Sequence, residues 1–138
     1  MRHTVLTILI CMTALLANGQ TGKVRYFMQT PDLPASSTPY GANDEAGHYV
    51  QSGDARIYYE VYGVGDPVLV LHGGGVGCMY EMGEIIDSLR VNHKVIAVST
   101  RGHGRSESGH SKVTYEQRAE DALAALTAVT EEPVLGWF

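Results

Sequence analysis

The sequence predicts an α/β fold in which an antiparallel β segment leads into parallel strands joined by helices. Residues 56–62 alternate between an apolar and a more polar face, as in an antiparallel strand that is half exposed. Residues 68–71 and 95–98 are instead apolar throughout, which is typical of parallel strands covered on both faces. Apolar residues at helical spacing separate these two runs, so we expect a βαβ unit.

Each predicted element has a local signal in the sequence. A short strand near His48 is expected to precede the alternating strand, with the turn SGD between them. Residues 133–136, PVLG, predict a third parallel strand, so the expected order after the antiparallel entry is βαβαβ. The first helix is predicted from apolar residues at helical spacing, which are Met82, Ile85, Ile86 and Leu89.

The second helix is expected to begin at a capping box, TYEQ. In this motif Thr114 accepts a backbone N–H and Gln117 reaches back to the helix start. Small alanine side chains keep the helix slim enough for close packing on a sheet. The apolar stripe predicted to pack there consists of Tyr115, Ala119, Ala122, Leu123 and Leu126.

The chain divides into three predicted segments. Residues 1–19 have a short polar start, an apolar run and small residues at the end, which is the layout of a secretory signal peptide. Residues 20–47 carry several Pro, Ser, Thr and Gly residues, and we expect a partly disordered lead-in. Residues 48–138 form the predicted domain. We therefore expect an exported protein, periplasmic or secreted; a retained N-terminal membrane anchor is the alternative.

Composition and charge exclude some classes of partner. The chain has 138 residues, a hydrophobic share of 44% and a formal net charge of −5, which suits one mildly acidic globular domain. Because no Lys/Arg cluster is present, nucleic acid and anionic lipid are not expected as partners. Loss of the leader would remove Cys11 and leave only Cys78, so we expect no intrachain disulfide and a buried thiol.

The segment LHGGGVG follows the first apolar run, at the sheet edge where open α/β sheets bind ligands. Gly73, Gly74 and Gly75 expose backbone N–H groups, which can stabilise an oxyanion during acyl transfer. A flexible strand-to-helix turn is the alternative. The segment lacks Gly-Lys-Ser/Thr and has Cys78 at the last position of G-x-G-x-x-G, so no nucleotide site is expected. We predict no cofactor and no metal.

The segment STRGHGRS follows the second apolar run. Its glycines permit a tight bend, and Arg101, His103 and Arg105 fill this bend with hydrogen-bond donors. We interpret it as a structural turn whose arginines pair with carboxylates and carbonyls, in preference to a direct catalytic role. Ser106 and Ser111 lie near histidines in the sequence, but neither follows a strand within a complete G-x-S-x-G, so no Ser–His site is expected.

A buried strand ending in LHGG, followed by a helix, a second buried strand and RGHGRS, resembles the N-terminal half of the α/β-hydrolase superfamily. The resemblance covers residues 48–137 and is closest to small esterases, epoxide hydrolases, dehalogenases and haloperoxidase-like enzymes. It implies hydrolysis of a small ester or related small-molecule substrate by an activated serine. It also implies an oxyanion hole in which Gly74 donates its N–H and Gly75 is the second candidate, while His72 and Gly73 shape the loop.

The same resemblance implies a nucleophile on a sharp turn after the third parallel strand. Gly136 and Trp137 match the first two positions of this turn, and Phe138 occupies the nucleophile position. Phenylalanine has no nucleophilic atom, so we expect a truncated family member that lacks nucleophile, acid and catalytic histidine and is inactive by itself. A non-catalytic binding module, or a half-domain that assembles with another chain through an exposed sheet edge, are the alternatives.

Overall fold

The computed structural model of the chain describes residues 36–74 and 79–137. The predicted signal peptide, most of the predicted lead-in, Gly75, Cys78 and Phe138 lie outside the described residues. Predictions made for these positions therefore stay predictions. Within the described ranges, no helix combines the length and the apolar character that crossing a membrane requires.

A mixed sheet of five strands forms the centre of the described structure. In chain order the strands are β1 (Gly47–Ser52), β2 (Ala55–Tyr62), β3 (Asp66–Leu71), β4 (His93–Val98) and β5 (Leu135–Trp137). Their order across the sheet is β1-β2-β4-β3-β5. A short 3-10 helix (Met79–Met82) runs into helix α1 (Gly83–Leu89), and helix α2 (Tyr115–Val129) lies between β4 and β5 in the chain.

The strand directions confirm the predicted fold class. β1 pairs antiparallel with β2, and β2 pairs antiparallel with β4. β3 runs parallel to both of its neighbours, β4 and β5. Since α1 and α2 connect these three parallel strands, the antiparallel entry is followed by the predicted βαβαβ order. The two continuous apolar runs correspond to β3 and β4, as expected for strands covered on both faces.

The two helices cover opposite faces of the sheet. The apolar cluster on the α1 face consists of Tyr40, Tyr62, Val68, Val70, Met79, Ile86, Val95 and Ala97. The cluster on the α2 face consists of Ala55, Ile57, Tyr59, Leu69, Ile96, Val98, Ala122 and Ala125. Alternate residues of β3 and β4 enter different clusters, so each strand contributes to both cores.

β2 departs from the half-exposed strand that the alternation predicts. Tyr58, Glu60 and Tyr62, on the expected outer face, are all buried. The chain before β1 covers this face, because the backbone N–H groups of Gly41 and Asn43 donate to the Glu60 carboxylate at 2.8 Å each. The alternation indicated the strand correctly, but the exposure of its second face was predicted wrongly.

The start of α2 agrees in part with the predicted capping box. The Thr114 hydroxyl accepts the N–H of Gln117 at 3.2 Å, as an N-cap should. The Gln117 side chain donates to Asp121, one turn further along the helix, instead of reaching back. Of the predicted stripe, Ala122 is buried, whereas Tyr115 is 86% exposed and Leu123 is 58% exposed. The expectation that both side chains pack on the sheet was wrong.

β5 is the outermost strand on one side of the described sheet. It has three residues and, among the described strands, its one neighbour is β3. Leu135 in this strand is 60% exposed. The outer edge of β5 therefore presents backbone groups for pairing and an apolar side chain to solvent in the described part of the chain.

Candidate functional site

The two sequence segments singled out above meet at one edge of the sheet. His72 follows the last residue of β3, and Thr100 lies two positions after the last residue of β4. The parallel register pairs Leu71 with Val98, so the loops after these strands leave the sheet side by side. β5 ends at the same edge, since Val70 pairs with Trp137. The carboxyl ends of all three parallel strands thus surround the glycine loop.

His72 fixes this loop through both ring nitrogens. The Thr100 backbone N–H donates to Nε2 at 3.0 Å, so Nε2 must be the unprotonated nitrogen. The proton is then on Nδ1, which lies 2.8 Å from the carbonyl oxygen of Gly73 and donates to it. The neutral imidazole therefore ties the glycine loop to the loop after β4.

Burial favours the neutral form of this ring. His72 is 6% exposed. Burial lowers the pKa of His72, and the hydrogen bond to Gly73, which acts in the opposite direction, does not cancel this effect. Protonation would also place a hydrogen on Nε2, where it would face the N–H of Thr100. The hydrogen bonds that hold the loop therefore require the neutral form of His72.

We predict that His72 makes folding less favourable in acid. Because its folded-state pKa lies below the unfolded value of about 6.5, its contribution to stability is complete above that pH. This contribution is lost as the pH falls through the folded-state pKa. Between about pH 7 and about pH 5, unfolding free energies should fall more in the intact chain than in His72→Gln, in which no ring titrates at this site. Equal pH dependence in both chains would contradict this prediction.

The glycines of the loop leave open space beside the backbone. A Cβ added to Gly73 would contact nothing within 4 Å, and one added to Gly74 would meet Nη1 of Arg118 at 3.7 Å. Neither residue is among the described glycines with positive φ, in contrast to Gly63 and Gly65 in the turn before β3. The backbone at Gly73 and Gly74 therefore does not require glycine for its conformation, and the missing side chains leave room for a ligand to approach.

An apolar cavity of about 620 Å³ lies against this loop. The polar part of its lining consists of His72, Gly73, Gly74, Thr100 and Arg118. Its apolar walls come from β3 and α2 and consist of Leu69, Leu71, Tyr115, Ala119, Ala122, Leu123 and Leu126. The exposed Tyr115 and Leu123 of α2 thus line a cavity at the sheet edge. A smaller cavity of about 440 Å³ adjoins Gly74 and Arg118 on the Val113 side.

The segment after β4 is a structural turn, as its interpretation from sequence predicts. The Arg101 side chain is 0% exposed and donates to both carboxylate oxygens of Asp121, at 2.9 and 2.8 Å. It also donates to Asp54 at 2.6 Å and to the carbonyl of Ser52 at 3.0 Å. Arg105 pairs with Asp44. Arg101 therefore joins the β1–β2 turn, the turn after β4 and helix α2.

The carboxyl groups of Asp121 and Asp54 in this network both have lowered pKa values. Burial tends to raise the pKa of Asp121, but hydrogen bonds from Arg101 and Ser52 outweigh it and the pKa is lowered. Backbone N–H groups of His110 and Ser111, with Arg101, hold the pKa of Asp54 well below its usual range. Both groups are thus held as carboxylates around a buried guanidinium.

Ser106 and its neighbours have structural roles. The Ser106 hydroxyl donates to the carbonyl of Ser99 at 2.7 Å and accepts the N–H of Tyr58 at 2.8 Å, in a buried position. The Ser111 N–H donates to Asp54 at 2.8 Å. Across the described ranges, no group of three or more His, Cys, Asp or Glu residues is placed to hold a metal ion.

Sequence reasoning missed two buried carboxylates, neither of which lines the cavities, and one cation that lines both. Glu60 is 0% exposed, although its place in an alternating strand indicated an exposed face. Asp121 lies on the buried side of α2, and only its spacing of one turn from Gln117 hinted at a polar contact there. Arg118 lines both cavities at the glycine loop, and no motif distinguished it from other helix-surface arginines.

The chain is similar in sequence to curated proteins of known name. It is 33% identical over 84 residues to RutD of Azorhizobium caulinodans, provisionally named a carbamate hydrolase, covering 61% of this chain and 31% of that protein. It is 32% identical over 83 residues to the 2-heptyl-3-hydroxy-4-quinolone dioxygenase AqdC1 of Rhodococcus erythropolis, covering 58% and 30%. No family model matches the chain.

Solved structures agree with this similarity. A bromoperoxidase from Bacillus anthracis superposes with a TM-score of 0.60 at 22% identity, over 66% of this chain and 34% of that one. An alpha/beta hydrolase from Sphaerobacter thermophilus superposes with a TM-score of 0.56 at 28% identity, over 64% and 35%. The first of these similarities concerns the fold alone.

The fold and the loop define an α/β protein whose candidate site lies at the carboxyl ends of parallel strands. Together with the similarity to the hydrolase RutD and to the alpha/beta hydrolase structure, they point to the α/β-hydrolase superfamily for the covered region, as the sequence motifs predict. The chain spans about a third of the length of the relatives and structures that it matches. Their names include both a hydrolase and a dioxygenase, so membership by itself does not specify the reaction.

Proposed function

We propose that residues 72–75 are the oxyanion hole of a serine-type hydrolase site for a small ester or related substrate. Gly74 would donate its backbone N–H, and Gly75, outside the described residues, is the second candidate donor. The observation that carries the proposal is the open glycine loop at the edge where β3, β4 and β5 all end, next to an apolar cavity.

The local chemistry supports a preorganised donor. An N–H aimed at the developing charge of a tetrahedral intermediate is effective only when its orientation is already fixed. His72 provides this fixation, because its Nδ1–H holds the Gly73 carbonyl and so orients the peptide that carries the Gly74 N–H. The neutral ring uses both of its nitrogens to hold the loop, so the loop is fixed before a ligand binds.

We further propose that the 138-residue chain does not turn over esters by itself. The family pattern places the nucleophile directly after Trp137, where Phe138 has no nucleophilic atom. Among the described serines, Ser106 is buried and engaged with backbone groups. The nearby histidine His72 uses both ring nitrogens in the loop.

A chromogenic short-chain ester tests this proposal. We expect hydrolysis at the buffer rate, with and without a serine-directed inhibitor, while a tetrahedral anion such as methylphosphonate still perturbs the Gly74 amide. Turnover that the inhibitor abolishes would overturn the proposed inactivity. Absence of an anion response at Gly74 would overturn the oxyanion hole, so the two parts of the proposal fail separately.

The other candidate function is assembly with a second chain, in which this chain acts as a half-domain. The exposed Leu135 favours it, since it is a large apolar side chain on β5, the outermost strand on one side of the described sheet. Size-exclusion chromatography with light scattering distinguishes the candidates. A monomer at all accessible concentrations would contradict self-association through this edge. Export through residues 1–19 stays a prediction.

A further inference from the structure

The side chain of Arg118 lies beside the glycine loop. It lies in the first turn of α2 and lines both cavities that meet at Gly74. Its Nη1 atom lies 3.7 Å from the position that a Cβ on Gly74 would take. The guanidinium is therefore at the polar end of the larger cavity, within reach of a group bound against the loop.

Arg118 also differs from the other described arginines in its partners. Arg56, Arg90, Arg101 and Arg105 each form an ion pair with a carboxylate. Over residues 36–74 and 79–137, no carboxylate pairs with Arg118. Its charge still acts at the site, because it contributes to lowering the pKa of His72 after the larger effect of burial. A half-buried, unpaired guanidinium favours an anionic partner.

The rest of the cavity is suited to hydrocarbon. Below the polar end, the walls of β3 and α2 consist almost entirely of aliphatic side chains and the Tyr115 ring. Leu123 is 58% exposed here, so part of this apolar surface faces solvent until something covers it. Glu81, whose charge also acts on His72, does not line the cavity. The cavity thus combines one cationic end with one apolar body.

We propose that this cavity binds an unbranched aliphatic carboxylate, with the carboxylate on Arg118 and the alkyl chain between β3 and α2. A planar guanidinium matches a carboxylate through paired N–H donors, which gives the head group its orientation. Gly74 lines the same cavity. The inference goes beyond the proposed function, because binding requires neither a nucleophile nor an oxyanion donor.

Octanoate is the probe, and backbone amide signals of α2 and of residues 72–74 report its binding to the intact chain. We expect affinity to fall roughly fifteenfold from octanoate to hexanoate, since each buried methylene contributes about fourfold. Arg118→Gln should weaken octanoate about tenfold or more, and Arg118→Lys should weaken it less. 1-Octanol, which has the tail without the charge, should bind more weakly than octanoate.

Matched variants separate the site from general effects of charge and hydrophobicity. Arg56→Gln removes the same charge from a residue that lines neither cavity and should leave octanoate affinity unchanged. Leu123→Gln alters an exposed cavity residue and should weaken octanoate with little change in the unfolding free energy. No octanoate binding, or equal affinity in the intact chain, Arg118→Gln and Arg56→Gln, would overturn the proposal.

Discussion

Replacement of Arg101 by methionine should reduce the unfolding free energy by about 3–5 kcal/mol, which is the cost of removing one partner from a buried ion pair. Asp121 is 2% exposed, and it loses both of its hydrogen bonds to the guanidinium. Asp54 and the carbonyl of Ser52 lose a donor as well. Since small domains have only about 5–15 kcal/mol of stability, this variant should be close to unfolding at room temperature. Urea titration measures the effect.

The controls for Arg101→Met separate an unpaired buried charge from a lost side chain. Arg56→Met breaks an exposed pair with Glu107 and should change stability little. The double variant Arg101→Met, Asp121→Leu should recover part of the loss, because no unpaired carboxylate remains in the core. An Arg101→Met chain as stable as Arg56→Met would contradict the account of the network.

The same network also makes stability depend on pH. The folded-state pKa of Asp121 lies below its unfolded value of about 4, so its contribution is present above that pH. It is lost as the pH falls through the folded-state value. In Arg101→Met the Asp121 carboxylate is buried without its cation, so its pKa should rise. The loss of stability that Asp121 causes as the pH falls should then become smaller or reverse.

We also expect a large effect from the replacement of Glu60 by alanine, which should reduce the unfolding free energy by about 2–4 kcal/mol. Its carboxylate accepts the N–H groups of Gly41 and Asn43 and the hydroxyls of Tyr58 and Tyr62, at 2.8 to 2.9 Å. Each buried donor left without an acceptor costs about 1–3 kcal/mol, and water entering the vacated space reduces the total.

Two controls sharpen the prediction for Glu60. Glu45→Ala removes the same group from an exposed position in the same segment and should be close to neutral. Glu60→Gln keeps the size, but its amide NH2 would face donors, so it should recover stability only in part. Hydrogen exchange at Gly41 and Asn43 should accelerate in Glu60→Ala. Equal stability of Glu60→Ala and Glu45→Ala would contradict a stabilising role of the hydrogen bonds to Glu60.

The order of strands and helices could be predicted because it depends on local patterns. Continuous apolar runs at β3 and β4, with helical spacing between them, indicate a parallel sheet without any knowledge of distant contacts. The buried outer face of β2 could not be predicted in the same way. Glu60 is satisfied by residues 41–43, which are distant in sequence, and an acidic residue in an alternating strand ordinarily indicates exposure.

The position of the glycine loop was also predictable, since it follows the apolar run of β3 directly. The surroundings of the loop were not. The N–H of Thr100 on Nε2 of His72 depends on the parallel register of β3 and β4. That no carboxylate among residues 36–74 and 79–137 pairs with Arg118 depends on which carboxylates lie near it in space. Neither property can be predicted from the spacing or the composition of the sequence.

If Gly74 is a preformed anion donor, its backbone amide signal should respond when a tetrahedral anion binds to the loop. The intact chain, labelled with ¹⁵N, is titrated with methylphosphonate, a tetrahedral anion that resembles the intermediate of ester hydrolysis. Gly63 and Gly65, in the turn at the amino end of β3, are internal controls. The variant Arg118→Gln distinguishes a contact between the anion and the Gly74 N–H from a general attraction of the anion to the neighbouring guanidinium.

We predict a saturable shift of the Gly74 amide signal that persists in Arg118→Gln at higher anion concentration, while Gly63 and Gly65 do not move. A Gly74 signal that shifts no more than those of Gly63 and Gly65, or only when Arg118 is present, would contradict a preformed donor at Gly74.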